Sequence, residues 1–511
     1  MKPTPFIALA AALAFAPAAQ AAPSLQARID QSKPGDTIRL TRGTYAGPIH
    51  IDHSLALIGN GSVIRGGGPV VRIDAPAAVS IDGVTITGGV TTASDYCGPL
   101  CGPDYVKGTA LGGGVEIGPP PDDIAPATVT ITDSVITGNR AANGQTVSSI
   151  RAVCPGGPCR FGLGSGGGID NWGNLTLVRT RVTGNQAGGP LSSDADGGGI
   201  SSGAGSLTLD HSVVSDNRAV AVPPHGRFAE GGGLFVTGGT LTVRDSRIDD
   251  NVADLTSTLP AKVGDANIDM NAHAGAIHTD PSVSATIDRS SISRNEISAV
   301  DPVGAPLAFN SAMLLQGPAA ISDTVIDANR LTGVATSTED TGDAGGAVEL
   351  DGGGTLTRTA LTRNVSVQRT TQGLAAIYGA LAVFTFEGDP KPVVMTDSVV
   401  AGNQATAITR TGDAVARGGG VFNNSLLTLR RTLVHDNSVQ AAGRTEGGGV
   451  WNGVALSGPP VELTLDHVAI TANRLIGGTR RGGGLFTSTP FTQTGTLFSR
   501  NAPDQVVSVS S

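Results

Sequence analysis

The 511-residue chain is poor in charge and in rings, with 15 % Asp, Glu, Lys and Arg and 4 % Phe, Trp and Tyr. Ordinary domains carry about 25 % charged residues, so long charged helices and coiled coils are excluded. Basic residues number 34 against 43 acidic, a net charge of −9. That deficit removes the electrostatic footprint of a nucleic-acid binder. Beyond the first twenty residues no run is apolar enough to cross a membrane, which takes about 20 residues. Cysteine is scarce as well: Cys97, Cys101, Cys154 and Cys159 are the only four. Glycine is abundant, at 73 residues, twice the usual share of about 7 %. The hydrophobic 39 % is mostly aliphatic, which suits a core built from strands.

Residues 1–21 read as a secretory signal: Lys2, then the apolar run Phe6–Ala19, then small residues at Ala19-Gln20-Ala21. The mature chain is therefore expected to be secreted or periplasmic, a monomer without a transmembrane segment. An even cysteine count in an exported chain reads as disulfides. The pairing stays open among three options. Local pairs are favoured because Cys97–Cys101 and Cys154–Cys159 each enclose a Gly/Pro turn.

Internal repetition decides the architecture. An apolar residue, two variable residues and an Asn recur eleven times. The asparagines are Asn139, Asn185, Asn217, Asn251, Asn295, Asn329, Asn364, Asn403, Asn437, Asn473 and Asn501, spaced 28 to 46 residues apart. Ser or Thr stands five residues earlier in ten repeats, Val468 being the exception. Ahead of most lies an alternating strand such as Leu207-Thr208-Leu209, and ahead of that a glycine triplet with an aliphatic, as in Gly197–Ile200. Such a unit cannot bury its apolar face alone, but stacked copies bury a continuous column. At about 4.8 Å per coil, equivalent asparagines come into register and bond to one another. Asn also tolerates the left-handed backbone of a sharp corner. The expected fold is all-β, a single right-handed parallel β-helix of about a dozen coils with lateral loop insertions. A short N-terminal capping helix, opened by Ser24 and closed on Leu25 and Ile29, is expected before the first coil. One domain spans 22–511: opening coils 22–89, a cysteine-bearing insert 90–109, main repeats 110–501 and a tail 502–511.

Gly345-Gly346-Ala347-Val348 followed by Leu361–Asn364 resembles the repeats of chlamydial polymorphic outer membrane proteins. More broadly the chain resembles the pectin-lyase-like right-handed β-helix superfamily. Its opening Pro34-Gly35-Asp36-Thr37-Ile38, Gly43-Thr44-Tyr45 and Leu57-Ile58-Gly59-Asn60-Gly61 is similar to that superfamily's first coil. The resemblance implies a fold and not an activity, because one fold hosts many functions. Autotransporter relatives carry a C-terminal membrane barrel; no alternating barrel segments follow Asn501, so an outer-membrane location is not expected. Polygalacturonase-like motifs are met only by Asp122-Asp123 and His225-Gly226, with no Arg-Ile-Lys after them. No catalytic residue is carried over.

Four places offer chemistry. The cysteine-bearing insert holds Tyr96, Tyr105 and Lys107, a sugar-binding set if the loops are stapled, and otherwise a solvated loop. The residue before each glycine triplet gives Asp196, Glu230 and His273 in successive coils. Two carboxyls about 5 Å apart serve acid–base catalysis or hold Ca²⁺ jointly, with His as base. The same column later reads Arg417, Glu446, Arg481, an ordinary alternating charge ladder. Asp265, Asp269, His273 and His278 cluster near Lys262 with no recognisable metal spacing, so no metal is assigned. Ca²⁺ enters only if the chain is a lyase. Last, Phe422, Trp451 and Phe486 share one position in successive repeats: facing out they stack on sugars, facing in they are core. Two functions follow. One is an exported protein that binds or displays at a surface and contacts polysaccharide through side loops. The other is a polysaccharide lyase or glycoside hydrolase acting on an acidic glycan.

Overall fold

In the repeat that begins at Asn174, the strand Asn174–Val178 alternates, with Leu175 and Leu177 fully buried and the residues between them half-exposed. Period-two alternation puts those leucines on one face. A parallel neighbour in register places Leu207 and Leu209 directly over them. Repeated along the chain, this makes a parallel β-helix with three long sheets of 26, 20 and 14 strands. The computed structural model describes residues 23–92, 109–120, 122–142, 163–189, 192, 194–222, 228–256, 262–263, 266–267, 271–301, 307–335, 342–372, 375–385, 389–454 and 461–509. Every strand pairing in the three long sheets is parallel; a small antiparallel pair, Lys262–Val263 with Ala266–Asn267, stands apart. The signal, the four cysteines, Tyr96, Tyr105 and Lys107 lie outside the described residues. Leu25–Asp30 is helical, with the Ser24 hydroxyl accepting from the Ala27 N–H at 3.1 Å and Leu25 and Ile29 buried.

Each asparagine side chain points inward and joins one continuous ladder. Asn139 Nδ2 donates to Asn185 Oδ1 at 3.0 Å, Asn185 to Asn217 at 3.0 Å, and so on to Asn473 and Asn501 at 3.0 Å. Each Oδ1 also accepts a backbone N–H from the coil before, and each Nδ2 also donates to a backbone carbonyl. At the far end Asn501 Nδ2 donates to Gln505 Oε1 at 2.9 Å. The asparagines do not take the left-handed corner themselves, contrary to the expectation from sequence. The residue before each does: Gly138, Gly184, Asp216, Asp250, Arg294, Ala328, Arg363, Gly402, Asp436, Ala472 and Arg500 all have φ between +53° and +65°. The turn made there is what aims the next side chain inward. The Ser/Thr column is a second ladder, in which the Thr180 N–H donates to Ser212 Oγ at 3.1 Å and Ser212 N–H to Ser246 Oγ at 3.0 Å.

After each asparagine but Asn501 the chain leaves the column and comes back. In one coil Arg218–Ala221 runs outward and Phe228–Glu230 returns. Stacked outgoing and returning legs form the 20-stranded sheet, a fin along the column. Its two layers meet through small side chains, among them Ala195, Ala219, Ala229, Ala253 and Ala272, all fully buried. The glycine triplet lies where the returning leg crosses the base of the outgoing one. A Cβ on the middle glycine Gly198 would sit 2.3 Å from the Arg218 carbonyl carbon and 2.4 Å from the Gly232 oxygen. On the third glycine, Gly199, it would sit 3.0 Å from the ladder amide of Asn217. Triplet and asparagine are thus two halves of one junction.

Candidate functional site

The glycine corner turns the returning leg into the 14-stranded sheet, so side chains of the two face each other across an angle. On the fin side the register runs Ser165, Asp196, Glu230, His273, Phe309. On the sheet side it runs Glu116, Asp170, Ser201, Phe235, His278, Leu314, Glu349. The columns touch: Ser165 Oγ donates to Asp170 Oδ1 at 3.0 Å, and the His273 and His278 rings meet edge to face at 5.1 Å. Glu230 Oε1 lies 3.0 Å from His273 Nδ1 and 3.9 Å from His278 Nδ1. Phe235 and Phe309 wall the pair of imidazoles, at 5.1 Å from His278 and 5.3 Å from His273.

Burial dominates the electrostatics of this corner. It pushes Asp196 well above the ordinary carboxylate range, with the charge of Glu230 one coil away adding to it. Burial also works on Glu230, but the two histidines outweigh it and hold this carboxyl below its usual range. Desolvation drives His278 down to about 4, so its ring is uncharged at neutral pH. Burial raises Asp280 to about 6, with Glu230 adding to the shift. Two coils further on, Asn310 Nδ2 donates to Glu349 Oε2 at 2.9 Å, and burial raises both Glu349 and Asp351, the latter to about 7.

Of the residues singled out from sequence, Asp196, Glu230 and His273 are brought together, and His278 joins them from the opposite column. Asp265, Asp269 and His225 lie outside the described residues. Phe422, Trp451 and Phe486 face away from the central core, yet they are not an open platform. Phe422 and Trp451 stack at 4.5 Å and 2°, Arg417 lies 5.0 Å over the Trp451 ring, and Val507 packs against the group. Their exposures of 0 %, 3 % and 5 % leave no face for a sugar. In this half of the molecule the corner is filled with rings, and Arg417 Nε donates to Glu446 Oε2 at 3.3 Å, as an alternating ladder should.

Asp170, Asp280, Glu349 and Asp351 escaped the sequence reading. The position after the inward aliphatic stands out in the sequence only where it is aromatic, at Phe422, Trp451 and Phe486. Followed upstream, the same position yields Glu349, His278, Asp170 and Glu116.

Asp170 gives a pH test. Burial, then the charge of Glu116, raises it to about 7 from 3.8, against hydrogen bonds donated by Ser165 and by Trp172 Nε1 at 3.0 Å. Its folded pKa exceeds its unfolded one, so the native chain holds an extra proton between about 4 and 7. Stability from this group falls across that window as pH rises. Asp170→Asn should match the parent in thermal melts at pH 4 and exceed it at pH 8 by roughly 2–4 kcal/mol. Equal stability at pH 8 would show that the carboxyl ionises there at no cost.

No family profile and no curated protein matches the sequence. Among solved structures the chain is similar to the Siphovirus 9NA tailspike receptor binding domain, at 10 % identity over 82 % of this chain and 72 % of that one, with a TM-score of 0.18. It is also similar to the PL6 family alginate lyase AlyGC. A point mutant of that lyase matches at 10 % identity over 95 % of this chain and 96 % of that one, with a TM-score of 0.16. A second AlyGC structure gives 12 %, 93 % and 92 %, TM-score 0.14. Superposition scores of that size fall short of a shared global shape, and the fold stands on the strand pairings themselves.

Proposed function

We propose that the protein is an exported β-helix that holds a polysaccharide along the corner between the fin and the 14-stranded sheet. The observation that carries this reading is the fin-side wall over four coils. Asp194 and Asp196, Phe228 and Glu230, Asn271 and His273, and then Phe309 are all mostly buried but keep a part-exposed edge, and they lie in register. Rings interleaved with hydrogen-bonding groups along a straight wall suit a linear sugar polymer, which offers apolar ring faces and hydroxyls in alternation. The four returning legs of this wall carry no Lys or Arg. An acidic glycan would meet like charge here, so a neutral one fits better than the acidic glycan of the alternative lyase or hydrolase reading.

Binding isotherms of the mature chain with neutral glucans and galactans, set against pectate and alginate with and without Ca²⁺, test the reading. A neutral polymer should bind, and Phe228→Ala or Asn271→Ala should each weaken it at least tenfold. Preference for the acidic polymers, or affinity indifferent to both substitutions, defeats it. Turnover is the second reading. It rests on Asp196 and Glu230 as register partners one coil apart, a spacing of about 5 Å that matches the carboxyl separation of retaining glycosidases. New reducing ends that vanish with Asp196→Asn would support it.

A further inference from the structure

We propose that Glu230, His273 and His278 form a binding site for a first-row divalent transition metal of the zinc class. The three residues come from two sheets and meet across the glycine corner. Glu230 and His273 are register partners on adjacent returning legs, whereas His278 lies in the strand Ile277–Thr279 beyond the corner. One donor atom from each lies within 4.8 Å of the other two. A tetrahedral zinc with bonds of about 2.0–2.1 Å needs donors about 3.3 Å apart. The observed 3.0 Å and 3.9 Å from Glu230 Oε1 to the two Nδ1 atoms bracket that figure.

An ion pair alone accounts poorly for the arrangement. His278 is 4 % exposed, and neither of its ring nitrogens makes a well-formed hydrogen bond, although Gln316 lies beside the ring. His273 Nδ1 is buried and also lacks one, its approach to Glu230 being close but misaligned. Buried imidazole nitrogens left without partners are costly. Here three of them occur in one cluster with a carboxylate. Two imidazoles and one carboxylate select zinc, cobalt, nickel or ferrous iron over the all-oxygen preference of Ca²⁺ and Mg²⁺. A second cluster, Asp210, His211 and Asp245, has the right residue types, but its histidine is exposed and already bonded to Asp210 at 2.8 Å. It serves as a control. The metal site shares Glu230 and His273 with the wall of the sugar-binding reading, but metal binding is read without any glycan. It does compete with the hydrolytic one for Glu230, since a carboxylate committed to a metal is not free as a base.

The test uses the untagged mature chain, stripped with chelator and titrated with Zn²⁺ by calorimetry and with Co²⁺ by its visible d–d absorption. One equivalent should bind with a Kd of about 1 μM or tighter, with an intense cobalt band of low coordination number. His273→Gln, at a part-exposed position that leaves the core intact, should weaken binding at least a hundredfold, and Glu230→Gln likewise. Circular dichroism of both variants should retain the β spectrum. His211→Ala should bind as the parent does. Absence of a saturable equivalent, retention of binding in both His273→Gln and Glu230→Gln, or its loss in His211→Ala overturns the proposal. None of these outcomes depends on whether a glycan binds.

Discussion

Gly198→Ala should destabilise the protein by more than about 3 kcal/mol, and a urea melt beside Gly184→Ala should show which property of glycine matters. At Gly198 the obstacle is space. The added methyl would lie 2.3–2.6 Å from the backbone of Arg218 and Gly232. Neither backbone can retreat without loss, because Gly198 N–H donates to the Gly231 carbonyl at 3.1 Å and Arg218 N–H to the Asn185 carbonyl at 2.9 Å. Overpacking against backbone exceeds the usual 1–3 kcal/mol of a tight core, where side chains can shift. Gly184 poses the opposite case. Its φ is +65°, but a Cβ there meets only Thr137 Oγ1, at 3.7 Å. Alanine should then cost only the left-handed penalty of about 1–2 kcal/mol, and Ala328 and Ala472 already hold that corner at +55° and +57°. If Gly184→Ala proved the more damaging of the two, the crossing of the fin's legs would not explain the triplets.

Asn217→Leu should cost roughly 4–6 kcal/mol, through groups left behind more than through bonds deleted. The Asn217 side chain accepts from the Asn185 backbone N–H and from Asn185 Nδ2, and donates to the Val182 carbonyl and Asn251 Oδ1, all at 2.9–3.0 Å. Leucine fills the volume and abandons all four partners in a fully buried layer. Chemical denaturation checks the magnitude. Asn217→Asp is the informative companion, because the carboxylate keeps both acceptor bonds while facing the Val182 carbonyl and Asn251 Oδ1 without a proton. It should titrate: stable when protonated at low pH and severely destabilised at neutral pH. A melt indifferent to either change would mean that the ladder carries no weight.

Much of the column was legible because its signals are local and recur. Leu175 and Leu177 announce an inward face, the asparagines mark where it ends, and like-over-like stacking needs no knowledge of distant residues. The opposite held for the fin. Sequence alone shows that extra residues follow each asparagine, but not that Arg218–Ala221 and Phe228–Glu230 fold back on each other through alanine. Without the fin, the angle at the glycine corner is invisible. Asp196, Glu230 and His273 then form one column, the cluster around His278 another, and Phe422, Trp451 and Phe486 a third, with nothing to say that they share a crevice. The left-handed position was misplaced by one residue for a related reason. A turn's φ and the direction of the side chain after it are coupled through geometry that residue type does not report.

The amide ladder has a consequence for how the column assembles. Every side-chain carbonyl looks toward the first coil and every NH₂ toward the last, so eleven dipoles point one way, like arrows in single file. Turning over one amide would set oxygen against oxygen on one side and NH₂ against NH₂ on the other, and the fault could be relieved only by sliding it rung by rung to an end. The orientation is therefore a property of the whole file, chosen once. The last NH₂ finds its oxygen on Gln505, so that one glutamine terminates a polarity set more than three hundred and fifty positions earlier, at Asn139.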